Sequence, residues 1–155
     1  MQTSSHIDPI VQVVVFEINS KEYAIPVFST KEIIRIPAII DIPNSPGFLA
    51  GVINLRGNII CIIDMRKQFN APANDTESTR IIIVQINKMN IGLIVDSVHE
   101  VIKIKKSQID PVPPMITFQI PNNCLVGIAK VEARIIALLN LQNILSQEQL
   151  ALLKQ

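Results

Sequence analysis

Tyr23 to Ile36 reads YAIPVFSTKEIIRI and Ile91 to Ile104 reads IGLIVDSVHEVIKI, the second stretch following the first at a constant offset of 68 residues. Ile25 falls on Leu93, Val27 on Val95, Ser29 on Ser97, Glu32 on Glu100, and Ile36 on Ile104. Moving upstream, Val14 to Asn19 (VVFEIN) falls on Ile82 to Asn87 (IIVQIN) at the same offset. Downstream, Phe48 to Phe69 falls without gaps on Cys124 to Leu145 at an offset of 76, with Gly51 on Gly127 and Asp64 on Asn140. The eight-residue difference between the offsets lies in the proline-rich stretch Gln108 to Asn123, where a loop is expected. Glycines and helix-capping residues align together with the apolar pattern, so the chain reads as two copies of one unit.

The unit is made of strands. Roughly thirty isoleucines and about a dozen valines load the chain with β-branched side chains, which suit a pleated surface. Their runs have strand length and are bounded by turn residues such as Asn19-Ser20-Lys21 and Arg56-Gly57. Expected strands are Val11–Ile18, Glu22–Pro26, Ile33–Ile36, Gly51–Leu55 and Asn58–Ile63, then Arg80–Ile86, Asn90–Val95, Val101–Ile104, Leu125–Val131 and Arg134–Leu139. Asp64 and Asn140 can each cap a short helical turn. Ser146-Gln147-Glu148-Gln149 has capping-box spacing and opens a last helix, 146–154, too short to stand alone in water, so Leu150 and Leu153 must dock. The expected fold is mainly β: two similar five-stranded barrels packed side by side, with short helices at barrel ends and a C-terminal helix. A single domain over 11–155 would hold barrels at approximately 11–70 and 80–145, joined by the polar connector 70–79. Alternate side chains of each strand face opposite ways, one set filling a barrel and the other requiring cover from the sister barrel or another protein.

Composition excludes several functions. With 14 Lys+Arg against 13 Asp+Glu, no Trp and one Tyr, the chain lacks the basic and aromatic groups of a nucleic-acid binder. Although 48% of residues are hydrophobic, the runs Ile59–Ile63 and Ile135–Leu139 stop at Asp64 and Asn140, far short of the roughly 20 residues of a spanning helix. The opening MQTSSH has no basic segment leading into an apolar stretch, so no secretory signal is expected. Cys61 and Cys124 read as free thiols of a cytoplasmic protein.

Residues able to do chemistry are scattered. His99 reads as a surface histidine, and two histidines with two separated cysteines do not make a zinc set. Asn54-Leu55-Arg56-Gly57 lacks the ending of a phosphate-binding loop. No catalytic residue, metal or cofactor is expected. The informative difference between the copies is Asn54-Leu55-Arg56-Gly57 against Lys130-Val131-Glu132-Ala133. Arg56 has no architectural counterpart, and a guanidinium at a hairpin tip can make planar two-pronged contacts.

Val14–Ile18, Glu22–Val27, Glu32-Ile33, Gly51–Gly57 and Ile62–Arg66, with Ile91–Asp96 and Leu125–Ile128 in the second half, resemble the CheW family of chemotaxis coupling proteins. The resemblance implies two SH3-like barrels and a non-catalytic adaptor joining methyl-accepting chemoreceptors to the regulatory domain of a CheA-type histidine kinase. It implies a cytoplasmic protein recruited to receptor arrays, without membrane insertion, and contact with other CheW-like domains in rings. By the same resemblance, receptor contacts fall on Val27, Thr30, Glu32, Gly51, Arg56 and Gly57, along a groove between barrels. Kinase contacts fall on Asp110 and Met115. Thr30 and Cys61 depart from the family pattern, where an aliphatic residue and a proline are usual. The alternatives are a generic SH3-like peptide-binding module and a small enzyme using an inter-barrel cleft.

Overall fold

Strands form at every expected place, mostly a residue or two longer than their apolar runs. The computed structural model describes residues 8–113 and 124–153. The chain runs through β1 (Ile10–Ile18), β2 (Lys21–Pro26), a 3-10 turn (Val27–Ser29), β3 (Thr30–Arg35), β4 (Leu49–Leu55), β5 (Asn58–Asp64) and α1 (Met65–Gln68). The second half follows with β6 (Arg80–Ile86), β7 (Met89–Val95), β8 (Ser97–Lys105), a 3-10 turn (Lys106–Gln108), β9 (Ile109–Asp110), β10 (Leu125–Val131) and β11 (Arg134–Leu139). A 3-10 turn (Leu141–Asn143) and α2 (Gln147–Leu153) end the described chain. Matched two-residue turns close the first hairpin of each copy, with Asn19-Ser20 and Asn87-Lys88 all at positive φ, which suits the twist of paired strands.

The partition into barrels at 11–70 and 80–145 is not how the strands pair. One sheet has the order β8-β1-β2-β11-β10-β9, the other β3-β6-β7-β5-β4. Each therefore joins the first hairpin of one copy to the third, fourth and fifth strands of the other. The exchange is reciprocal down to the register: Tyr23 lies beside Ala137 and Ile91 beside Cys61 in the two parallel pairs, the same pairing displaced by the repeat offsets. Bulges recur as well, at Ala50 and Val126, each just before a glycine, and at Lys31 and His99. Both crossovers are short: three residues separate β2 from β3, and Asp96 alone separates β7 from β8. Each carries the chain across to the sister copy, where Thr30 pairs with Val84 and Val98 with Phe16.

Strand alternation sorts the apolar residues into three clusters. Val13, Val15, Ala24, Ile104, Ala129 and Ile136 fill the six-stranded sheet's own interior. Ile53, Ile60, Ile62, Ile81, Ile83 and Ile94 fill that of the five-stranded sheet. The largest cluster lies between the sheets and takes the opposite faces, Val14, Phe16, Tyr23 and Ile25 meeting Ile63, Ile82, Val84, Ile91 and Leu93. The apolar seam expected from the sequence is thus covered by the sister sheet, and Leu141, Ile144, Leu145 and Leu150 of the chain's own C-terminal segment join it. A foreign helix has no entry to the centre of this seam; only its margins are open.

The caps form as expected. Asp64 accepts from the Arg66 amide at 3.0 Å and Asn140 from the Gln142 amide at 3.0 Å. Ser146 Oγ accepts from the Gln149 amide while Gln149 Oε1 accepts from the Ser146 amide, completing the capping box that starts α2. Between the halves, Arg66 is 2% exposed and holds the connector: its guanidinium donates to Asp64, to Asp75 Oδ1 at 2.7 Å and to the Asn74 carbonyl at 3.0 Å.

Candidate functional site

Glu32 on β3 and Arg56 at the β4–β5 turn meet as an ion pair, with Arg56 Nη1 3.3 Å from Glu32 Oε1 and Nη2 bound to Oε2. Since β3 and β4 are opposite ends of the five-stranded sheet order, this pair draws its two edges together. Arg56 and Gly57 both take positive φ, and the Gly57 amide donates to Asn54 Oδ1 at 2.8 Å. Asn54, Arg56 and Gly57 therefore form one shaped tip. The guanidinium remains largely exposed, at 68%, so it keeps free donors for a partner.

Val27 and Thr30 stand where the chain crosses from one sheet to the other. Val27 packs against the central cluster while staying partly exposed, and so does Val98 at the reciprocal crossover. Thr30 pairs with Val84 and Val98 with Phe16, so the two residues occupy equivalent positions beside the seam. The Thr30 hydroxyl donates to the Pro26 carbonyl at 3.2 Å. Its polar atom is thus satisfied locally. Val98 was not among the residues the resemblance pointed to; the 68-residue offset from Thr30 identifies it.

The face carrying these residues continues along β3 and β8. Ile33 pairs with Ile82 and Val101 with Val14, both partners belonging to the central cluster, yet Ile33 is 40% and Val101 53% exposed. Phe28, in the crossover turn, is 86% exposed. These side chains extend the seam's apolar surface beyond the point where the sheets cover one another.

Gly51 is placed differently from the other expected contacts. It is buried at the β4 bulge, φ +147°, where a Cβ would come within 2.6 Å of the Ile40 carbonyl oxygen. Its role is to let Ile40 pair with Val52 through two backbone hydrogen bonds of 2.8 and 2.9 Å. Asp110 lies on β9 at the edge of the other sheet, bound to Lys130 Nζ at 2.8 Å. Met115 lies outside the described residues.

Two further features complete the inventory. Glu22 accepts from Arg134 Nε at 3.0 Å and Nη2 at 2.7 Å, with His99 Nδ1 at 3.1 Å; His99 Nε2 reaches Glu17 at 3.1 Å. The Arg134 guanidinium, helped by His99, holds the Glu22 carboxyl below the usual glutamate value. Beside this network a cavity of about 450 Å³ is lined by Tyr23, Phe69, Leu125, Ile128, Ile135 and Ala137. Among the described residues no group of three His, Cys, Asp or Glu is placed to hold a metal ion. Cys61 is half-buried and Cys124 buried; both are free, and burial raises both thiols, Cys124 to about 11. No described helix is long and apolar enough to cross a membrane.

Two reciprocally exchanged β-sheets with an apolar, charge-rimmed margin define a scaffold built to bind other proteins. A family model described as a CheW-like domain matches residues 12–149. The chemotaxis protein CheW of Helicobacter pylori is 34% identical over 142 residues, covering 91% of this chain and 85% of that protein. CheW of Bacillus subtilis is 33% identical, covering 88% of each. The crystal structure of the scaffolding protein TtCheW from Thermoanaerobacter tengcongensis superposes with a TM-score of 0.81 at 37% identity, covering 88% of this chain and 92% of that one. The chain belongs to the CheW family of chemotaxis coupling adaptors.

Proposed function

We propose that this chain couples methyl-accepting chemoreceptors to a CheA-type histidine kinase, without catalysis of its own. An amphipathic receptor helix lays its apolar stripe along the margin formed by Val27, Phe28, Thr30, Ile33, Val98 and Val101, a helix-in-groove contact made at the edge of the seam. Arg56, braced by Glu32, sets the register of that helix at the rim. Asp110, Met115 and neighbouring sheet ends take the kinase regulatory domain and other CheW-like domains in ring assemblies. The adaptor works in the cytoplasm, recruited to receptor arrays. It changes kinase output only through differential affinity for the receptor's signalling states.

The observation that supports the receptor face most directly is the exposed apolar row, because its residues lie in register with the central core and yet remain uncovered. Pull-down of the full-length chain with the cytoplasmic fragment of a chemoreceptor from the same cell tests it. Arg56→Asp should weaken recovery while circular dichroism stays that of the native fold. Unchanged recovery would remove Arg56 from the interface.

A further inference from the structure

The register of the edge strands gives the receptor-facing margin a charge character of its own. On β1 and β6 the residues sharing the seam face with Val14 and Ile82 are Ile10, Gln12, Phe16, Arg80, Val84 and Ile86. Their partners on β3 and β8 continue that face. Ile33 lies opposite Ile82 and Arg35 opposite Arg80; Val101 lies opposite Val14, Lys103 opposite Gln12, and Lys105 opposite Ile10. Across these four strands the face carries Arg35, Arg80, Lys103 and Lys105, and no carboxylate. Glu32 and Glu100 point to the other side, where they are held by Arg56 and Arg134.

None of the four cations forms an ion pair with a described residue. Arg80 Nη1 donates to the carbonyls of Glu77 and Thr79. Of the neighbouring acids, Asp75 is bound to Arg66, Asp8 accepts from Ser107 and also lies within electrostatic reach of Lys105, and Glu77 lines the same concavity as Arg35 and Arg80 without an ion pair to either. Arg35 and Arg80 lie directly opposite one another, an unfavourable like-charge cross-strand pair that an incoming anion would relieve. In a chain of net charge +1, this is a local excess rather than a property of the whole surface.

We infer that the helix docked on this margin is acidic on both flanks: its apolar stripe meets Ile33 and Val101, and Asp or Glu residues on either side meet Arg35 with Arg80 and Lys103 with Lys105. This rests on the receptor reading above and adds the partner's chemistry. Charged rims chiefly set association rate and orientation and depend on salt.

The test uses the full-length chain and the cytoplasmic fragment of a chemoreceptor from the same cell, with binding followed from 50 mM to 500 mM NaCl. Arg35→Glu and Lys103→Glu, both at exposed positions, should each weaken binding roughly threefold to tenfold at low salt, the loss fading at high salt. Reversing the flanking carboxylates of the fragment to Lys should restore binding to the doubly reversed chain. Retained binding that ignores both reversals and salt would overturn the acidic-flank inference and leave the receptor reading standing. Loss of all fragment binding in the unaltered chain would overturn both. A chain that ignores the fragment but binds phosphatidylglycerol vesicles in a Lys103-dependent way would assign the margin to a membrane instead.

Discussion

Arg134 does for Glu100 in the six-stranded sheet what Arg56 does for Glu32 in the five-stranded one, although the two arginines are not repeat partners. Glu32 and Glu100 share one repeat position, just after matching bulges. Arg56 precedes the glycine of its hairpin turn, whereas Arg134 follows its turn and reaches Glu100 Oε2 at 2.8 Å. The carboxylate holds the same repeat position in both copies, while its cation stands before the turn glycine in one and after the turn in the other. Arg134 therefore lies closer to its own sheet, at 31% exposure, and also binds Glu22; Arg56 projects. Arg56→Ala should leave the melting temperature nearly unchanged yet reduce receptor binding, while Arg134→Ala should lower the melting temperature. Differential scanning calorimetry of the two variants decides this, and equal shifts would contradict it.

Much of this body was legible from the two repeat blocks. Strand positions, both caps and the capping box follow from local signals at Asp64, Asn140 and Ser146. The exchange of hairpins was not, because the same alternating pattern in Val13–Phe16 serves a strand whichever copy supplies its neighbour. Strand pairing is a long-range choice, made here at two short crossovers, Val27–Ser29 in the first copy and Asp96 in the second. The candidate site divides the same way. Arg56 was visible as a residue without a counterpart; its partner Glu32 came from the family resemblance and Val98 follows from the repeat offset, whereas the placing of Val101, Arg35, Arg80, Lys103 and Lys105 on the seam face came only from register.

Glu22 supplies the pH dependence. Its folded-state pKa is depressed by Arg134 and His99, so it contributes stability that is fully present above the ordinary glutamate value of 4.5 and is lost as pH falls through the lower folded value. Glu22→Gln should therefore be less stable than the native chain at pH 7, with the difference shrinking below about pH 4.5. Urea unfolding at pH 7, 5 and 3.5 measures it. A difference that grew on acidification would reverse the sign assigned to Glu22.

Gly51 and Gly127 share a bulge but not its consequences. At Gly51 an added Cβ meets backbone, 2.6 Å from the Ile40 oxygen, in a conformation of φ +147°. At Gly127 the nearest atom is Ile109 Cγ2 at 2.7 Å, on a side chain that can rotate, and the backbone oxygen of Asp110 is 3.4 Å away. Gly51→Ala should cost about 2 kcal/mol and Gly127→Ala clearly less, because a strained φ adds to the clash only in the first. Paired urea titrations would expose a reversed order.

Arg66 joins the repeat's halves through charge rather than through apolar packing. Replacing it with Ala would leave Asp64, itself 4% exposed, as a buried carboxylate without its cation, and would release Asp75 and the Asn74 carbonyl of the connector. Breaking a buried pair from one side costs about 3 kcal/mol, more than the pair itself contributes, since the remaining charge has lost both water and partner. The double variant Arg66→Met with Asp64→Asn removes both charges while Asn retains the capping oxygen for residue 66. It should recover a large part of that loss. Amide hydrogen exchange should then show the connector opening in both variants, because neither can hold Asp75, even where global stability has returned. Full protection of residues 74–79 in the double variant would mean that the connector is fixed by something other than Arg66.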